Sequence, residues 1–516
     1  MSWGVAGVSA SAAILRRSLA PKPWDCKALP LVGLARASSA EALGIVRLPL
    51  ESIQVQTRQI ELAACKTLGI PNKPAASLGL PYASSVAALT PALDASICRL
   101  QCCAIAAVQL DGCASLCTAL PSCSRATART AAIPRRMASA TAFLPRIVAL
   151  GRGAARTQLR SVLQQCNVSR PFVVTDQNLE GMARSVLESA DMSGEVYADE
   201  CAEPTSDRVD AMAEALAGSN ADGVVAIGGG SPLDAAKLAV VLSENGGACR
   251  DYKAPVLTDT PPALPMVAVP TTAGTGAEVT RYAVVTDSKT GEKMLCAGAA
   301  FVPAACLVDG SLADGSPSTL TADVGVDALC HAMEAFVSKK SSPLSDGFAL
   351  DALRGIGRHL RSAVADEAEG RDGMARAAFL AGVSFSVSSV TLIHGMSRPL
   401  GARFHLAHGR SNAVLMPAVT AYSLAGARER YAQCSEALGL AGDLPEALGN
   451  LASTLGVPSL RDALLERGVD ERMFRDAVPG MARDALASGS PANNPLVPSE
   501  ADVARLYHAC YDNDLV

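Results

Sequence analysis

Residues 223–242, GVVAIGGGSPLDAAKLAVVL, contain the pattern of a strand, a glycine turn and a helix in immediate succession. The run GVVAI is apolar and largely β-branched, which predicts a strand buried on both faces. Gly228–Gly230 close this strand. Ser231 stands where a helix N-cap is expected, and Pro232 falls in the first helical turn, where its missing N–H costs little. A strand that passes through a tight turn into a helix is typical of a parallel α/β sheet.

Two further segments follow the same pattern. PFVVTD, residues 171–176, is a short β-branched run that ends in Asp176. PMVAVPTTAGTGAEVT, residues 265–280, is a strand that leads into a loop of threonines and glycines. Because such strands alternate with helical segments, we predict an α/β domain with a parallel sheet over residues 141–315.

The glycine turn and the threonine loop are both suited to binding phosphate. Backbone can approach a pyrophosphate closely only where no Cβ intrudes, and the helix N-terminus beyond Gly230 supplies free N–H groups. The spacing differs from the G-x-G-x-x-G fingerprint, so the turn alone is weak support. The second loop adds hydroxyls and free amides from Thr271, Thr272, Gly274 and Thr275. Two such loops at the carboxyl ends of one sheet form a crevice suited to a nucleotide.

Beyond DGSLADGSPS, residues 309–318, the strand signals end and long segments of helical period begin. TADVGVDALCHAMEAFVS, MARAAFLAGVSFSVSSVTLI and RSNAVLMPAVTAYSL are each predicted to be helical. We therefore predict an all-α domain over residues 316–516.

The segment GVDALCHAMEAF carries a carboxylate and an imidazole on one helix face. Asp327 and His331 are four residues apart, so both project from the same side of a mostly apolar helix. Burying such a pair without a partner is costly, which indicates that the two side chains face something polar.

Three of the six histidines lie close together in LIHGMSRPLGARFHLAHGRSN, at positions 394, 405 and 408. His394 is expected to end an apolar helix, and His408 to precede the next one. A lone helical histidine is more often structural than a ligand. Together with Asp327 and His331, however, His394 and His408 make three imidazoles and one carboxylate, a set that suits a divalent ion of borderline softness, Fe²⁺ or Zn²⁺.

Composition excludes several classes of protein. The chain has 516 residues, is 49% hydrophobic and 18% charged, and is therefore expected to form more than one globular domain. Aromatic residues make up only 4%, which argues against stacking platforms for nucleic acid. No uninterrupted apolar run reaches about eighteen residues, so no membrane span is predicted. The cysteines after residue 136 are isolated from one another, which is typical of reduced, buried thiols.

The first 136 residues differ from the rest in charge. They contain 14 Lys and Arg but 6 Asp and Glu, which leaves 31 basic and 44 acidic residues in the remainder. An acidic body offers no electrostatic surface for DNA or RNA. The basic, acid-poor start is similar to an organelle-targeting segment, which would direct the protein to a mitochondrion or plastid rather than the cytoplasm. The alternatives are a mobile tail, or a start assigned too far upstream of Met137.

Five motifs in order, GGGSPLDAAK, VPTTAGTGAEVT, GVDALCHAMEAF, HGMSRPLGARFHLAHG and SGSPANNP, resemble the iron-containing (group III) alcohol dehydrogenase family. The resemblance covers residues 141–516. It implies an α/β dinucleotide-binding domain followed by an all-α helical domain, with a metal site in the cleft between them. It also implies NAD as cofactor, iron (or alternatively zinc) as the metal, a small alcohol or carbonyl substrate, and a homodimer.

The resemblance assigns roles by position. The implied metal ligands are Asp327, His331, His394 and His408. The implied cofactor contacts are Asp176 at the ribose, Gly230 and Ser231 at the pyrophosphate, Thr271, Thr272, Gly274 and Thr275 in the second loop, and Lys293. Two departures stand out. Glu203-Pro204-Thr205 replaces the family's Asn-Pro-Thr, and Arg398 replaces a second histidine in HGMxH.

These features leave alternatives open. The same architecture serves metal-dependent cyclases and lyases of the dehydroquinate synthase type, and a non-catalytic relative would also keep the fold. Arg398 either pairs with a nearby carboxylate or binds an anionic group of the substrate beside the metal. We therefore predict an enzyme that transfers hydride between NAD(H) and a small alcohol or aldehyde, or a hydroxy acid or oxo acid.

Overall fold

The computed structural model describes residues 139–199 and 203–515. The predicted targeting segment lies outside these residues. Up to residue 270 the described chain alternates between strands and α-helices, and three more strands follow before residue 315 with no α-helix between them. The strands are β1 (Ile147–Leu150), β2 (Pro171–Asp176), β3 (Glu195–Asp199), β4 (Gly223–Gly228), β5 (Met266–Pro270), β6 (Tyr282–Thr286), β7 (Lys293–Ala297) and β8 (Ala305–Val308). The helices are α1 (Ala154–Gln165), α2 (Glu180–Ser189), α3 (Ser206–Gly218) and α4 (Gly230–Asn245).

Six of the strands form one parallel sheet in the order β1-β8-β5-β4-β2-β3, and β6 and β7 form a separate antiparallel hairpin. Alternate residues of a strand face opposite sides of the sheet. Thus Phe172 and Val174 on β2 pack in the core that contains α3 and α4, while Val173 packs with α1 and α2. Because both faces of the central strands are covered, β2, β4 and β5 are nearly continuous apolar runs, as the sequence predicted.

The carboxyl ends of β5, β4 and β2 lie side by side at one edge of the sheet. Gly228 pairs in register with Pro270, and Thr175 pairs with Ile227, one residue before Asp176 ends β2. The glycine turn and the threonine loop therefore leave the sheet from adjacent strands, at the edge where nucleotides bind in open α/β sheets.

The start of α4 differs from the sequence prediction. The helix begins at Gly230 and its N-cap residue is Gly229, so Ser231 lies inside the first turn and is not the cap. The glycine turn is tighter than expected because Gly228 packs directly on Pro232. A Cβ at Gly228 would lie 2.4 Å from the Cγ of Pro232. A glycine N-cap has no side chain to bond the first-turn N–H groups, which suits a ligand-binding helix terminus.

From residue 318 onward the described residues contain helices and no strands. These helices are α5 (Ser318–Val337), α6 (Pro343–Val364), α7 (Ala368–Ser388), α8 (Leu392–Phe404), α9 (His408–Leu424), α10 (Arg428–Leu438), α11 (Leu444–Thr454), α12 (Leu460–Leu465), α13 (Glu471–Ala487) and α14 (Glu500–Asp512). One apolar core joins them, with α5 near its centre: from Gly325 to Val337 every residue of α5 is buried. The fold class is the predicted one, a parallel α/β sheet followed by a helical bundle.

One predicted helix is broken. The segment MARAAFLAGVSFSVSSVTLI was expected to be continuous, but α7 ends at Ser388 and α8 begins at Leu392, with an angle of 103° between them. Ser389 adopts a left-handed conformation, with φ of 69°. The apolar period hides this break because Val390, which lies within it, and Leu392, which follows it, are both buried.

The break corrects the expected positions of two histidines. His394 lies in the first turn of α8 and does not end a helix, and His408 is the first residue of α9. Among the described helices none is by itself long and apolar enough to cross a membrane. The pair α7 and α8 meets that test only when joined across its sharp bend. The described cysteines are free and buried, as predicted.

Candidate active site

Three helices bring the four predicted metal ligands together. Asp327 and His331 lie one turn apart on α5, His394 begins α8, and His408 begins α9. The first three are almost fully buried, whereas the side chain of His408 is 40% exposed. The cluster is therefore closed toward the helical core and open toward solvent only beside His408.

One carboxylate oxygen is close to all three imidazoles. Oδ1 of Asp327 lies 3.4 Å from Nε2 of His394 and 3.7 Å from Nε2 of His408. It lies 3.9 Å from Nε2 of His331, and all four ligand atoms are within 4.8 Å of one another. Ligand atoms about 2.1 Å from a tetrahedral metal ion are about 3.4 Å apart, so the four atoms fit one ion after a small contraction.

The contacts of Asn412 support the same conclusion. Its Nδ2 donates to Oδ1 of Asp327 at 2.6 Å and lies 3.2 Å from Nε2 of His394 and 3.4 Å from Nε2 of His408. Its Oδ1 is buried without a hydrogen-bond partner among the described residues. Three ligand atoms thus surround one polarised N–H₂ group, as they would surround a cation. A set of three nitrogens and one oxygen fits Fe²⁺ or Zn²⁺.

The electrostatics of the cluster favour metal binding. Burial lowers the pKa of His331 to about 4 and that of His408 to about 3, so both imidazoles are neutral at pH 7 and keep a lone pair. Burial alone would raise the pKa of Asp327, but His331 and the other two imidazoles hold it well below its usual range. The ionised carboxylate and the neutral imidazoles of His331 and His408 are in the protonation states that coordinate metals, whereas His394 must release a proton to do so.

Glu334 is a site residue that the sequence analysis missed. Its Oε2 lies 2.5 Å from Nδ1 of His394, while its Oε1 accepts hydrogen bonds from the Ile393 amide at 2.6 Å and the Thr391 hydroxyl at 2.7 Å. Burial alone would lower the pKa of His394, but the charge of Glu334 and the hydrogen bond to Asp327 raise it to about 9. Spacing could have revealed Glu334, because it follows Asp327 by seven residues on the same helix face.

The two predicted phosphate loops pack against each other. A Cβ at Gly230 would lie 2.8 Å from the Cγ2 of Thr275, so only glycine allows this approach. The amide of Thr271 donates to the carbonyl of Gly228 at 2.9 Å, which joins the loops at their bases. A cleft between the second loop and the helical half is lined by Thr271, Thr272 and Thr321, among others. The predicted cofactor residues Gly230, Ser231, Thr271, Thr272, Gly274 and Thr275 therefore lie together.

The second loop also contacts the metal-ligand cluster. Nδ1 of His331 lies 3.3 Å from the carbonyl oxygen of Gly274. A Cβ at Gly274 would lie 2.6 Å from the carbonyl oxygen of Val324, so loop and helix α5 touch backbone to backbone. A hydrogen bond from Nδ1 leaves Nε2 of His331 as the acceptor that faces the cluster.

The remaining predicted cofactor residues lie on neighbouring elements. Asp176 ends β2, and its Oδ1 accepts hydrogen bonds from the amide and the side chain of Asn178. Lys293 on β7 forms an ion pair of 2.9 Å with Glu203, one of the two departures from the family pattern. Burial opposes ionisation of Glu203, but hydrogen bonds from Thr286 and Lys293 lower its pKa. The exchange of asparagine for Glu203 thus supplies the lysine with a counterion.

Arg398 has a neutral partner. It lies on α8 one turn after His394, half-buried, and its Nη1 donates to Oγ of Ser490 at 3.0 Å. The predicted pairing with a carboxylate is not observed, since no carboxylate oxygen of the described residues forms an ion pair with it. Glu334 is close enough to affect its pKa, but the oxygens of Glu334 already bond Thr391, Ile393 and His394.

Comparisons with known proteins agree with this geometry. The model of the iron-containing alcohol dehydrogenase family matches residues 145–310, and the model of its C-terminal domain matches residues 321–511. The chain is 33% identical over 382 residues to the NAD-dependent methanol dehydrogenase of Bacillus methanolicus, covering 70% of this chain and 98% of that protein. This chain belongs to the iron-containing alcohol dehydrogenase family.

Solved structures of this family have the same fold. A 1,3-propanediol oxidoreductase is 30% identical, with a TM-score of 0.66, and the alignment covers 72% of this chain and all of that one. A sulfoacetaldehyde reductase from Bifidobacterium kashiwanohense in complex with NAD⁺ is 27% identical, with a TM-score of 0.66, over 72% of this chain and 99% of that one. The chain is thus an NAD-dependent alcohol dehydrogenase of the iron-containing type, and the predictions of family, fold class and enzyme class are confirmed. The cyclase and non-catalytic alternatives are not favoured.

Proposed function

We propose that the four-ligand cluster and the two sheet loops are the catalytic centre, where hydride passes between NAD(H) and a small alcohol or carbonyl compound. The observation that carries this proposal is the contact between His331 and Gly274, because it joins a cluster residue to the loop best suited to the dinucleotide. In this assignment Asp327, His331, His394 and His408 hold a divalent ion. Iron is proposed from the family and the mixed nitrogen and oxygen donor set.

The chemistry that such an ion supplies is Lewis-acid polarisation of the substrate oxygen. The protein's part is to keep the ligands in position. Glu334 accepts a hydrogen bond from Nδ1–H of His394 and so directs Nε2 into the cluster. The Gly274 carbonyl accepts one from Nδ1–H of His331 with the same effect. Phe385 stacks on the ring of His331 with centroids 4.2 Å apart, which excludes water from that side.

The dinucleotide supplies the hydride acceptor or donor. We assign its pyrophosphate to the amides that begin α4, at Gly230 and Ser231, and to the second loop from Thr271 to Thr275. Asp176 at the end of β2 is assigned to the ribose hydroxyls. Lys293 is assigned to the cofactor side of the cleft. The ion pair with Glu203 holds the ammonium group of Lys293 in a fixed direction.

A metal-reconstitution assay tests this function. Protein freed of metal with a chelator is reloaded with Fe²⁺ or Zn²⁺ under anaerobic conditions and mixed with NADH and a panel of aldehydes and oxo acids. We expect loss of absorbance at 340 nm only in the reloaded samples, and faster with iron. If no member of the panel oxidises NADH in either loaded form, the proposed function is wrong.

We also propose that the chain forms a homodimer through strand β1. Among the described residues β1 pairs only with β8, so its other edge is unpaired, and Val148 and Leu150 are 39% and 45% exposed. An unpaired edge with outward apolar side chains is suited to pairing with a second copy. Light scattering of the wild type and of Val148→Lys measures the mass. A monomeric wild type would exclude this proposal.

For residues 1–136 we propose organelle targeting, on the grounds of their basic, acid-poor composition. A fluorescent protein fused after residue 136 is expected to enter mitochondria or plastids. A fusion that stays in the cytoplasm would exclude targeting by this segment.

A further inference from the structure

Arg398 places a positive charge beside the four-ligand cluster. It follows His394 by four residues on α8, and side chains at this spacing have Cβ atoms about 5–6 Å apart on the same helix face. Nε2 of His394 lies 3.4 Å from Oδ1 of Asp327, so the face that carries both residues borders the proposed catalytic centre.

The charge of Arg398 is not neutralised within the described residues. Its guanidinium donates to the uncharged hydroxyl of Ser490, and no carboxylate oxygen described lies within 4 Å of it. Burial lowers its pKa, although Glu334 opposes this effect. A guanidinium has five N–H donors in a planar fork, so most of its hydrogen-bonding capacity remains for another partner.

An aromatic wall leads from the cluster toward this arginine. Phe385 stacks on His331 with centroids 4.2 Å apart and on Tyr282 at 6.5 Å. The phenol of Tyr282 is close enough to influence the pKa of Arg398. The guanidinium carbon of Arg281 lies 5.4 Å from the Tyr282 ring centroid, and its buried Nε has no hydrogen-bond partner among the described residues. Arg281 thus lies against this aromatic wall and Arg398 is within electrostatic range of it, so the two guanidinium groups give it a positive potential.

We propose that Arg398 binds the anionic end of the substrate (a carboxylate, phosphonate or sulfonate) while the carbonyl end faces the four-ligand cluster. This inference rests on the proposed function and narrows its substrate class to short anionic aldehydes and oxo acids. Ser490 is a positioning residue, because its hydroxyl holds the guanidinium fork in one orientation. The anionic group itself is unchanged in the reaction RCHO + NADH + H⁺ → RCH₂OH + NAD⁺.

The preference has a predictable size. Hydrogen bonds between charged groups favour a ligand by about ten- to a hundredfold over a neutral analogue. Lysine would keep the charge but lose the planar fork, so it would serve a carboxylate less well than arginine does. Histidine, the usual family residue at this position, would remove most of the charge at pH 8.

Matched substrates test the inference in the metal-loaded full-length enzyme. The ratio of kcat/KM for 4-oxobutanoate to that for 4-oxobutanamide is measured in wild type and in Arg398→Gln, Arg398→Lys and Arg398→His. We expect a ratio of about ten to a hundred in wild type, close to one in the Gln and His variants, and intermediate in the Lys variant. Arg403→Gln is the control, because Arg403 is exposed on the same helix and the substitution removes the same charge.

Further arms distinguish the anions. 2-Oxoethylphosphonate and 2-oxoethanesulfonate are compared with propanal in the wild type and the three Arg398 variants. In Arg398→Lys the planar carboxylate should lose more of its preference over the neutral substrate than the tetrahedral anions do. If wild type favours the neutral member of every pair, or if Arg398→Gln lowers acidic and neutral substrates equally, Arg398 does not bind the substrate anion.

A binding measurement separates this inference from the proposed function. Succinate, which cannot be reduced, is titrated calorimetrically into the NAD⁺ complex of wild type, Arg398→Gln and Arg403→Gln. If succinate binds to the wild type and to Arg403→Gln but not to Arg398→Gln, the anion site is supported even when no aldehyde is reduced. In that case only the proposed function fails. If wild type binds succinate no better than Arg398→Gln does, the anion site is wrong whatever the turnover assays show.

Discussion

Nδ1 of His394 and Oε2 of Glu334 are 2.5 Å apart, and both side chains are buried to within 2% of full burial. The carboxylate therefore determines which ring nitrogen of His394 faces Asp327. The other oxygen of Glu334 bonds the Ile393 amide, at the start of α8. One side chain on α5 thus fixes both the tautomer of a ligand and the beginning of the helix that carries it.

Replacing Glu334 by Gln should weaken metal binding without unfolding the protein. The amide keeps the shape of the side chain but removes the charge that aligns His394, and losing such a partner typically lowers metal affinity about 10- to 100-fold. Chelator competition measures the affinity, with the exposed Glu429→Gln as a control. Equal affinity in Glu334→Gln and the control would show that the carboxylate serves only the helix start.

Asp327→Asn and His408→Ala should each abolish metal retention while leaving the fold intact. Asn keeps the shape of Asp327 but donates where a lone pair is needed, and His408 is partly exposed, so its loss leaves no closed cavity. Metal content by mass spectrometry and turnover should fall together, with circular dichroism unchanged. Full activity in either variant after chelator treatment would contradict the ligand assignment.

Asp176 should set a preference for NAD over NADP. Its carboxylate can accept hydrogen bonds from both ribose hydroxyls and would repel a 2′-phosphate. Asp176→Gly should reduce the ratio of kcat/KM for NAD to that for NADP by about tenfold or more. Because Asp176 also caps the turn at Asn178, Asp176→Ser is the gentler variant, which keeps a capping oxygen. A wild-type enzyme that favours NADPH would exclude this role.

Glu278 should make the protein less stable as the pH rises. Burial raises its pKa from 4.5 to about 7, so between these values the folded protein keeps a proton that the unfolded chain has lost. The contribution of Glu278 to the free energy of unfolding is therefore full below pH 4.5, decreases between pH 4.5 and 7, and is lost above pH 7. The total decrease is up to about 3 kcal/mol. Glu278→Gln should flatten this part of the pH profile in urea unfolding at pH 5 and 8.5. If the pH profile of Glu278→Gln is the same as those of the wild type and of the exposed control Glu188→Gln, this role of Glu278 is wrong.

A chain beginning at Met137 should fold and keep its activity. Every residue assigned to the metal, the cofactor or the substrate lies after this point, and so do all described helices and strands. Expression, melting temperature and kcat/KM of the truncated and full-length proteins provide the comparison. Loss of soluble protein on truncation would show that the first 136 residues stabilise the rest.

The fold could be predicted largely because its signals are local. Strands β2, β4 and β5 are apolar on both faces, so the boundaries of PFVVTD coincide with those of β2. The proposed metal ligands could be named because their motifs match a known family. The start of α8 could not be predicted, since the buried Val390 continues the apolar period through the three residues between α7 and α8.

The missed contacts join residues that are distant in sequence. The partner of Arg398 is Ser490, 92 residues away, and spacing along the chain gives no information about such a pair. Glu203 and Lys293 meet only because the described chain before α3 lies beside the β6-β7 hairpin, where Thr205 forms a bridge to Thr286. Glu334 is a different case. Its position on the same face of α5 as Asp327 could be seen in the sequence, but its contact with His394 could not, because the break before α8 was not predicted.

The hydrogen bond between His331 and the Gly274 carbonyl has a thermodynamic consequence. The cluster and the dinucleotide loop share this contact, and the loop touches the backbone of α5 at Val324, so neither can shift without the other. Binding at the two subsites is then linked. The factor by which NAD changes the affinity for the ion must equal the factor by which the ion changes the affinity for NAD. An apoprotein loaded with either ligand first should therefore reach the same ternary complex, and both orders of addition should give the same coupling factor.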